Sequence, residues 1–203
     1  MTPEESEAFE RCISVGGVAI FPADTVYGLA TGPDSREGVE RLYRLKSRLP
    51  DMPSAVMFFQ VEAALAALPE LGERMRGVVG CLLPGPVTLL VPNPARRFPL
   101  ACGGEPERLG IRVPRLEGRL EPLGTVSRPV LQSSANRAGG ADPRRLEELD
   151  PELRAGVDLV LDGGELPGTP STVVDLSAWG EGGTFEVVRE GALPLEAVVA
   201  CLE

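Results

Sequence analysis

Proline and glycine set the ceiling on every element this chain can form. Its 203 residues include 24 glycines and 20 prolines. A proline inside a helix removes a hydrogen bond and clashes with the turn before it, and a glycine past the last turn ends a helix. The longest charge-free run, 77–95, contains Pro84, Pro86, Pro92 and Pro94, so it is not read as a continuous membrane helix. The two breakers together make just over a fifth of the chain, below the ~25–30% typical of disordered compositions. The length suits one domain of roughly 100–200 residues, long enough to bury about 70% of its unfolded surface. The reading is a folded, loop-rich single domain over residues 1–203.

Between the breakers the pattern is legible in short pieces. Thr2, Pro3 and Glu5 form a helix start with a capping box, and Gly16-Gly17 stops that helix. Segments 18–21, 55–59, 87–91, 109–113, 129–133, 157–161, 172–176 and 185–189 read as strands. Residues 22–31 are expected to be a loop or an irregular edge. Asp34 or Ser35 should cap a helix with Val39, Leu42, Tyr43 and Leu45 inward, ending near Arg48. Segments 62–68, 70–83, 143–149 and 195–202 read as helices, and 115–127 holds a short helix at most. Helices and strands do not strictly alternate. This predicts an α/β fold with an open twisted sheet of mixed parallel and antiparallel strands, flanked by helices.

What is missing narrows the chemistry. The chain has no histidine, which excludes a Ser-His-Asp triad, a Cys-His dyad and histidine-ligated zinc. Cys12, Cys81, Cys102 and Cys201 are far apart and form no C-x-x-C, and they are expected to be reduced thiols in a cytoplasmic protein. The first ten residues hold four glutamates and no basic side chain, the opposite of a signal peptide. No metal site is expected. The net charge of −10 argues against a general nucleic-acid coat, whose affinity rests on basic side chains.

Nineteen basic residues are arginine and one, Lys46, is lysine. A solitary lysine suggests a place where a compact ammonium serves and a planar guanidinium does not. Lys46 and Arg48 lie at what should be an exposed helix exit, where both could turn to one polyphosphate. Their alternative role is to complement the helix dipole. Three other segments place polar residues where strands end, the usual ligand position in open sheets. In 21–29, Thr25 offers a hydroxyl and Gly28 a close backbone approach, or both simply make a turn. In 132–140, Ser133, Ser134, Asn136, Gly139 and Gly140 could cradle a phosphate or carboxylate, or form a plain turn. In 171–175 and 187–191, Ser171 and Arg189 could face one groove. No G-x-x-x-x-G-K-S/T loop occurs, and no G-x-G-x-x-G follows a strand.

Together these segments resemble the YrdC-like family, the L-threonylcarbamoyl-AMP synthases. The family pattern P-T-D/E-T-x-Y-G-L, K-x-R, P-G-P-x-T, R-x-P, S-A-N-x-S-G, S-T-V-V/I-D and R-x-G is matched at 22–29, 46–48, 84–88, 112–114, 134–139, 171–175 and 189–191. The resemblance implies the open mixed sheet with a concave, locally basic groove. It implies joining of L-threonine, bicarbonate and ATP into threonylcarbamoyl-AMP with release of pyrophosphate, Mg²⁺ arriving with the ATP. The intermediate would pass to a downstream threonylcarbamoyl transferase complex that modifies tRNA next to the anticodon. By resemblance Lys46 and Arg48 are catalytic and bind ATP with Asn136, Arg144 and Arg189. Thr25, Arg112, Ser134 and Ser171 hold threonine, Arg112 facing its carboxylate. The resemblance is to the short form, expected to be without the extra C-terminal domain of longer members.

The chain departs from the pattern at Ala23, Leu49, Met52, Met57 and Ala138. These substitutions cluster on the substrate side, which leaves a non-catalytic RNA- or nucleotide-binding relative as the alternative. Residues 36–48 carry five basic and two acidic side chains. One such patch on an acidic molecule is expected to bind ATP, and tRNA weakly or not at all.

Overall fold

The computed structural model describes residues 1–179 and 182–203. Its elements follow the breakers. In chain order they are α1 (Pro3–Ser14), β1 (Ala19–Pro22), β2 (Tyr27–Thr31), α2 (Arg36–Leu45), β3 (Ala55–Met57), α3 (Val61–Ala67), α4 (Glu73–Leu82), β4 (Val87–Pro92), α5 (Pro99–Cys102), β5 (Arg108–Arg112), β6 (Val130–Ser134), α6 (Pro151–Ala155), β7 (Leu159–Val160), β8 (Thr172–Asp175), β9 (Glu186–Arg189) and α7 (Leu195–Leu202). Short 3₁₀ turns occupy Gly118–Thr125 and Leu146–Glu148. Thr2 and Glu5 complete the capping box of α1, and the Ser35 hydroxyl caps α2.

The described strands form one nine-stranded sheet in the order β7-β1-β2-β6-β3-β5-β4-β8-β9. The β1–β7, β3–β5 and β4–β8 pairs are parallel, and β1–β2, β2–β6, β3–β6, β4–β5 and β8–β9 are antiparallel. The mixed α/β sheet is the expected fold.

Two expectations are corrected here. Residues 27–31 are not a loop or irregular edge; they are a fully buried strand inside the sheet, between β1 and β6. Their sequence, Tyr-Gly-Leu-Ala-Thr, carries a glycine and lacks the β-branched run that marks a strand, and only tertiary pairing between β1 and β6 selects the extended form. Cys81 and Cys201 are not reduced thiols; they form a disulfide that ties α4 to α7 across 120 residues of sequence. Sequence spacing gave no sign of that contact.

Strand alternation assigns the two faces. Val56, Leu89, Val91, Leu109, Ile111, Leu131 and Val174 point to a large core closed by α2, α3, α4 and α7. On the opposite face, Phe9 and Ile13 of α1 with Leu123 cover part of the stretch from β1 to β3, packing on Ala19, Phe21, Ala30, Met57 and Val130. The rest of that face is left open. In β5 the same alternation that buries Leu109 and Ile111 presents Arg108, Gly110 and Arg112 to the opening.

Candidate functional site

The open face is a cavity of about 330 Å³ lined by Gly28, Arg48, Ala55, Thr88, Arg112, Gln132, Ser134, Ser171 and Arg189, among others. A second cavity of about 520 Å³ lies beside it, over Lys46, Ser47, Asn136 and Gly139. The two share Arg48, Ser134, Asp142 and Arg189. Both sizes fall in the range of small-molecule sites.

Helix α2 ends into this junction. Ser47 takes φ 52°, a left-handed turn unusual for a residue with a Cβ, and it brings Arg48 back toward the sheet. The Arg48 guanidinium donates to Ser133 Oγ at 3.2 Å and to the Pro53 carbonyl, and stacks over Tyr43 with its Cζ 5.9 Å from the ring centre.

Lys46 is not at an exposed helix exit. It is 2% exposed, because the loop after β6 folds over it. Its Nζ donates to the carbonyls of Ser134 and Asn136, the latter at 2.7 Å, and to Asn136 Oδ1 at 3.0 Å. Its own carbonyl accepts the Ala138 N–H at 2.9 Å. Three acceptors converging on one point require a small three-donor cation, which accounts for the solitary lysine. Burial, and then the neighbouring Arg48 guanidinium, push this ammonium down to about 8. Asn136 closes the loop, accepting from Ser134 Oγ at 2.7 Å and donating to the Gly140 carbonyl at 2.6 Å.

On the far side of the 330 Å³ cavity, Arg112 is 4% exposed. It donates to the Asp24 carboxylate and, at 2.7 Å, to Thr25 Oγ1. Asp24 also accepts the Arg115 N–H at 3.0 Å. The Arg112 Nε has no partner among the described residues, and neither does Arg48 Nε. Buried donors of this kind are costly unless something accepts from them. Across the groove, Thr88 and Ser171 hydroxyls meet at 3.0 Å, and Arg189 donates to the Ser171 carbonyl at 2.7 Å.

The structure thus gathers Lys46, Arg48, Arg112, Ser134, Asn136, Ser171 and Arg189 around two adjoining cavities. Thr25 is buried behind Arg112 and lines neither. Arg144 does not join them: it pairs with Glu165 at 2.5 Å and lines neither cavity. Sequence reasoning passed over several polar lining residues, among them Thr88, Arg108, Gln132 and Asp142. Thr88 closes the P-G-P-x-T motif, and Gln132 shares the face of Ser134 by alternation, so both had a signal. Asp142, in a Gly-Gly-Ala-Asp-Pro stretch, had none.

The Sua5/YciO/YrdC family model, described as telomere recombination, matches residues 11–191. The chain belongs to the Sua5/YciO/YrdC family. Among its relatives, a threonylcarbamoyl-AMP synthase of Pyrococcus abyssi is 29% identical over 92% of this chain and 54% of its own length. The human threonylcarbamoyl-AMP synthase is 30% identical over 94% of this chain and 68% of its own. The crystal structure of P. abyssi Sua5 complexed with L-threonine superposes with a TM-score of 0.86 at 27% identity, covering 99% of this chain and 58% of that one. The chain therefore spans little more than half of the archaeal family member it matches.

Proposed function

We propose that this Sua5/YciO/YrdC chain joins L-threonine, bicarbonate and ATP into L-threonylcarbamoyl-AMP and pyrophosphate, residues 1–203 acting as one domain. The observation that carries the reading is the junction of two cavities at Arg48, Ser134, Asp142 and Arg189. The names of the relatives and the threonine complex of P. abyssi Sua5 support it.

The reaction brings a carbamate oxygen to an α-phosphate, so two substrates must meet at one point. The groove lined by Arg112 takes the amino acid: a carboxylate accepting from Arg112 Nε would relieve that unpartnered donor. The cavity beside Lys46 and Asn136 takes the nucleotide, with its α-phosphate at the junction. Negative charge then builds on phosphoryl oxygens and on departing pyrophosphate. Arg48 and Arg189, fixed by hydrogen bonds and paired with no carboxylate among the described residues, oppose that charge without reorganising. Lys46 holds the Ser134–Asn136 loop against the phosphates and adds its own charge. No step needs a histidine. No cluster of acidic or sulfur ligands exists among the described residues, so Mg²⁺ would enter on the triphosphate as part of the substrate.

The product would pass to a threonylcarbamoyl transferase complex in the cytoplasm for tRNA modification. No described helix is long and apolar enough to cross a membrane. The test is pyrophosphate release with ATP, bicarbonate and each amino acid in turn. Release that requires both threonine and bicarbonate is expected. Silence with every amino acid would overturn the reading and favour a nucleotide- or RNA-binding role.

A further inference from the structure

The cavity lining holds five cations, Lys46, Arg48, Arg108, Arg112 and Arg189, and one carboxylate, Asp142. Each cation is engaged: Lys46 with loop oxygens, Arg48 with Ser133, Arg108 with Asp175 and Glu105, Arg112 with Asp24, Arg189 with Ser171. Asp142 is different. It is half-buried at the junction of the two cavities, and its charge acts on Lys46 and Arg189 through space, yet among the described residues its carboxylate accepts no hydrogen bond and closes no ion pair. The nearby carboxylates are already committed. Asp24 accepts from Arg112 and the Arg115 N–H, and Asp175 from Arg108 and Ser177.

An amino acid is a zwitterion, and an arginine-lined groove answers only its negative end. Its ammonium needs an acceptor on the side where the amine will meet the carbonyl carbon, which is the junction. We infer that Asp142 accepts hydrogen bonds from the substrate ammonium and fixes the amine at the junction, opposite the carboxylate held by Arg112. The inference rests on the functional reading above and adds to it a residue that selects α-amino acids over hydroxy acids and other carboxylates. Carbamate formation balances as RNH₃⁺ + HCO₃⁻ giving RNHCOO⁻, water and one proton. The N–C bond forms, the bicarbonate C–OH bond breaks, and the proton leaves to solvent from the amine that Asp142 holds.

The test compares equilibrium binding of L-threonine and of 3-hydroxybutanoate, which keeps the carboxylate and hydroxyl and lacks the amine. Both are titrated into the unsubstituted protein and Asp142→Asn, without nucleotide. A charge-assisted hydrogen bond lost here is expected to weaken threonine binding roughly 10- to 100-fold, leaving 3-hydroxybutanoate binding unchanged. Binding of Mg-ATP should be unchanged or tighter, since a negative charge has gone. Threonine binding that survives the substitution would overturn the inference alone. So would a loss confined to Mg-ATP and dependent on Mg²⁺, which would make Asp142 a metal ligand. No threonine binding by the unsubstituted protein would overturn the functional reading and the inference with it. Circular dichroism of Asp142→Asn separates a local effect from misfolding.

Discussion

Removing the Lys46 ammonium leaves the Ser134 and Asn136 carbonyls facing a hole. Lys46→Ala should therefore act twice. Turnover should fall by on the order of 10²–10³, as for other lost preorganised charges, and stability by about 1–3 kcal/mol from the orphaned acceptors. Lys46→Arg should rescue neither, because a planar fork cannot point three donors at one cluster of oxygens. Pyrophosphate release and denaturant unfolding read the two effects; full activity in Lys46→Arg would contradict the geometry. The ammonium is depressed to about 8 from 10.5, burial being the larger cause. Its charged form is thus penalised in the fold, the unfolded chain binds the proton more tightly, and stability gained from this group rises with pH between about 8 and 10.5. An incoming polyphosphate restores the charge. ATP binding at pH 8 should take up about half a proton, and nearly none at pH 6.5, measured by calorimetry in buffers of different ionisation enthalpy. Equal uptake at both values would contradict it. The solitary lysine was readable as a site for a compact cation. Its partners were not, because the loop that buries it comes from residues 134–138, far away in sequence.

Elements with strong local signals were readable, and those chosen by pairing were not. The capping box of α1, the Ser35 cap of α2 and the break at Pro69 follow from residues within one turn. Strand β2 depends on two neighbours, β1 and β6, and its Gly28 fits because a Cβ there would come within 3.0 Å of the Phe21 ring. The α4–α7 contact is likewise non-local, and the Cys81–Cys201 bond fixes it. Closing so long a loop should contribute about 2–5 kcal/mol by restricting the unfolded chain. Cys201→Ser should lower Tm by roughly 5–15 °C, and a reductant should lower the parent protein to the same value. A Tm insensitive to both would show that α7 is held by the packing of Val198 and Leu202 without help from the disulfide.

At the scale of the molecule, charge decides what the groove can hold. The chain carries −10 overall, and Lys46, Arg48 and Arg189, with no carboxylate within ion-pair distance among the described residues, gather where the two cavities meet. Affinity for a nucleic-acid backbone needs several phosphates neutralised at once, whereas the proposed nucleotide would bring one triphosphate to this junction. Labelled tRNA should bind weakly or not at all at physiological salt by fluorescence anisotropy; a specific sub-micromolar complex would contradict that. The mixed sheet was legible from helices and strands that do not strictly alternate, and the basic groove only through the family resemblance that the ordered motifs carry. The lone carboxylate at the junction was not, because its meaning comes only from what surrounds it. The central claim is that threonine, bicarbonate and ATP meet at this junction. The direct measurement is mass spectrometry of a reaction with L-threonine, ¹³C-bicarbonate and ATP. The account predicts one adenylate product carrying threonine and a single labelled carbon, formed in step with pyrophosphate. ATP consumed without a labelled adenylate, or no reaction at all, would contradict it.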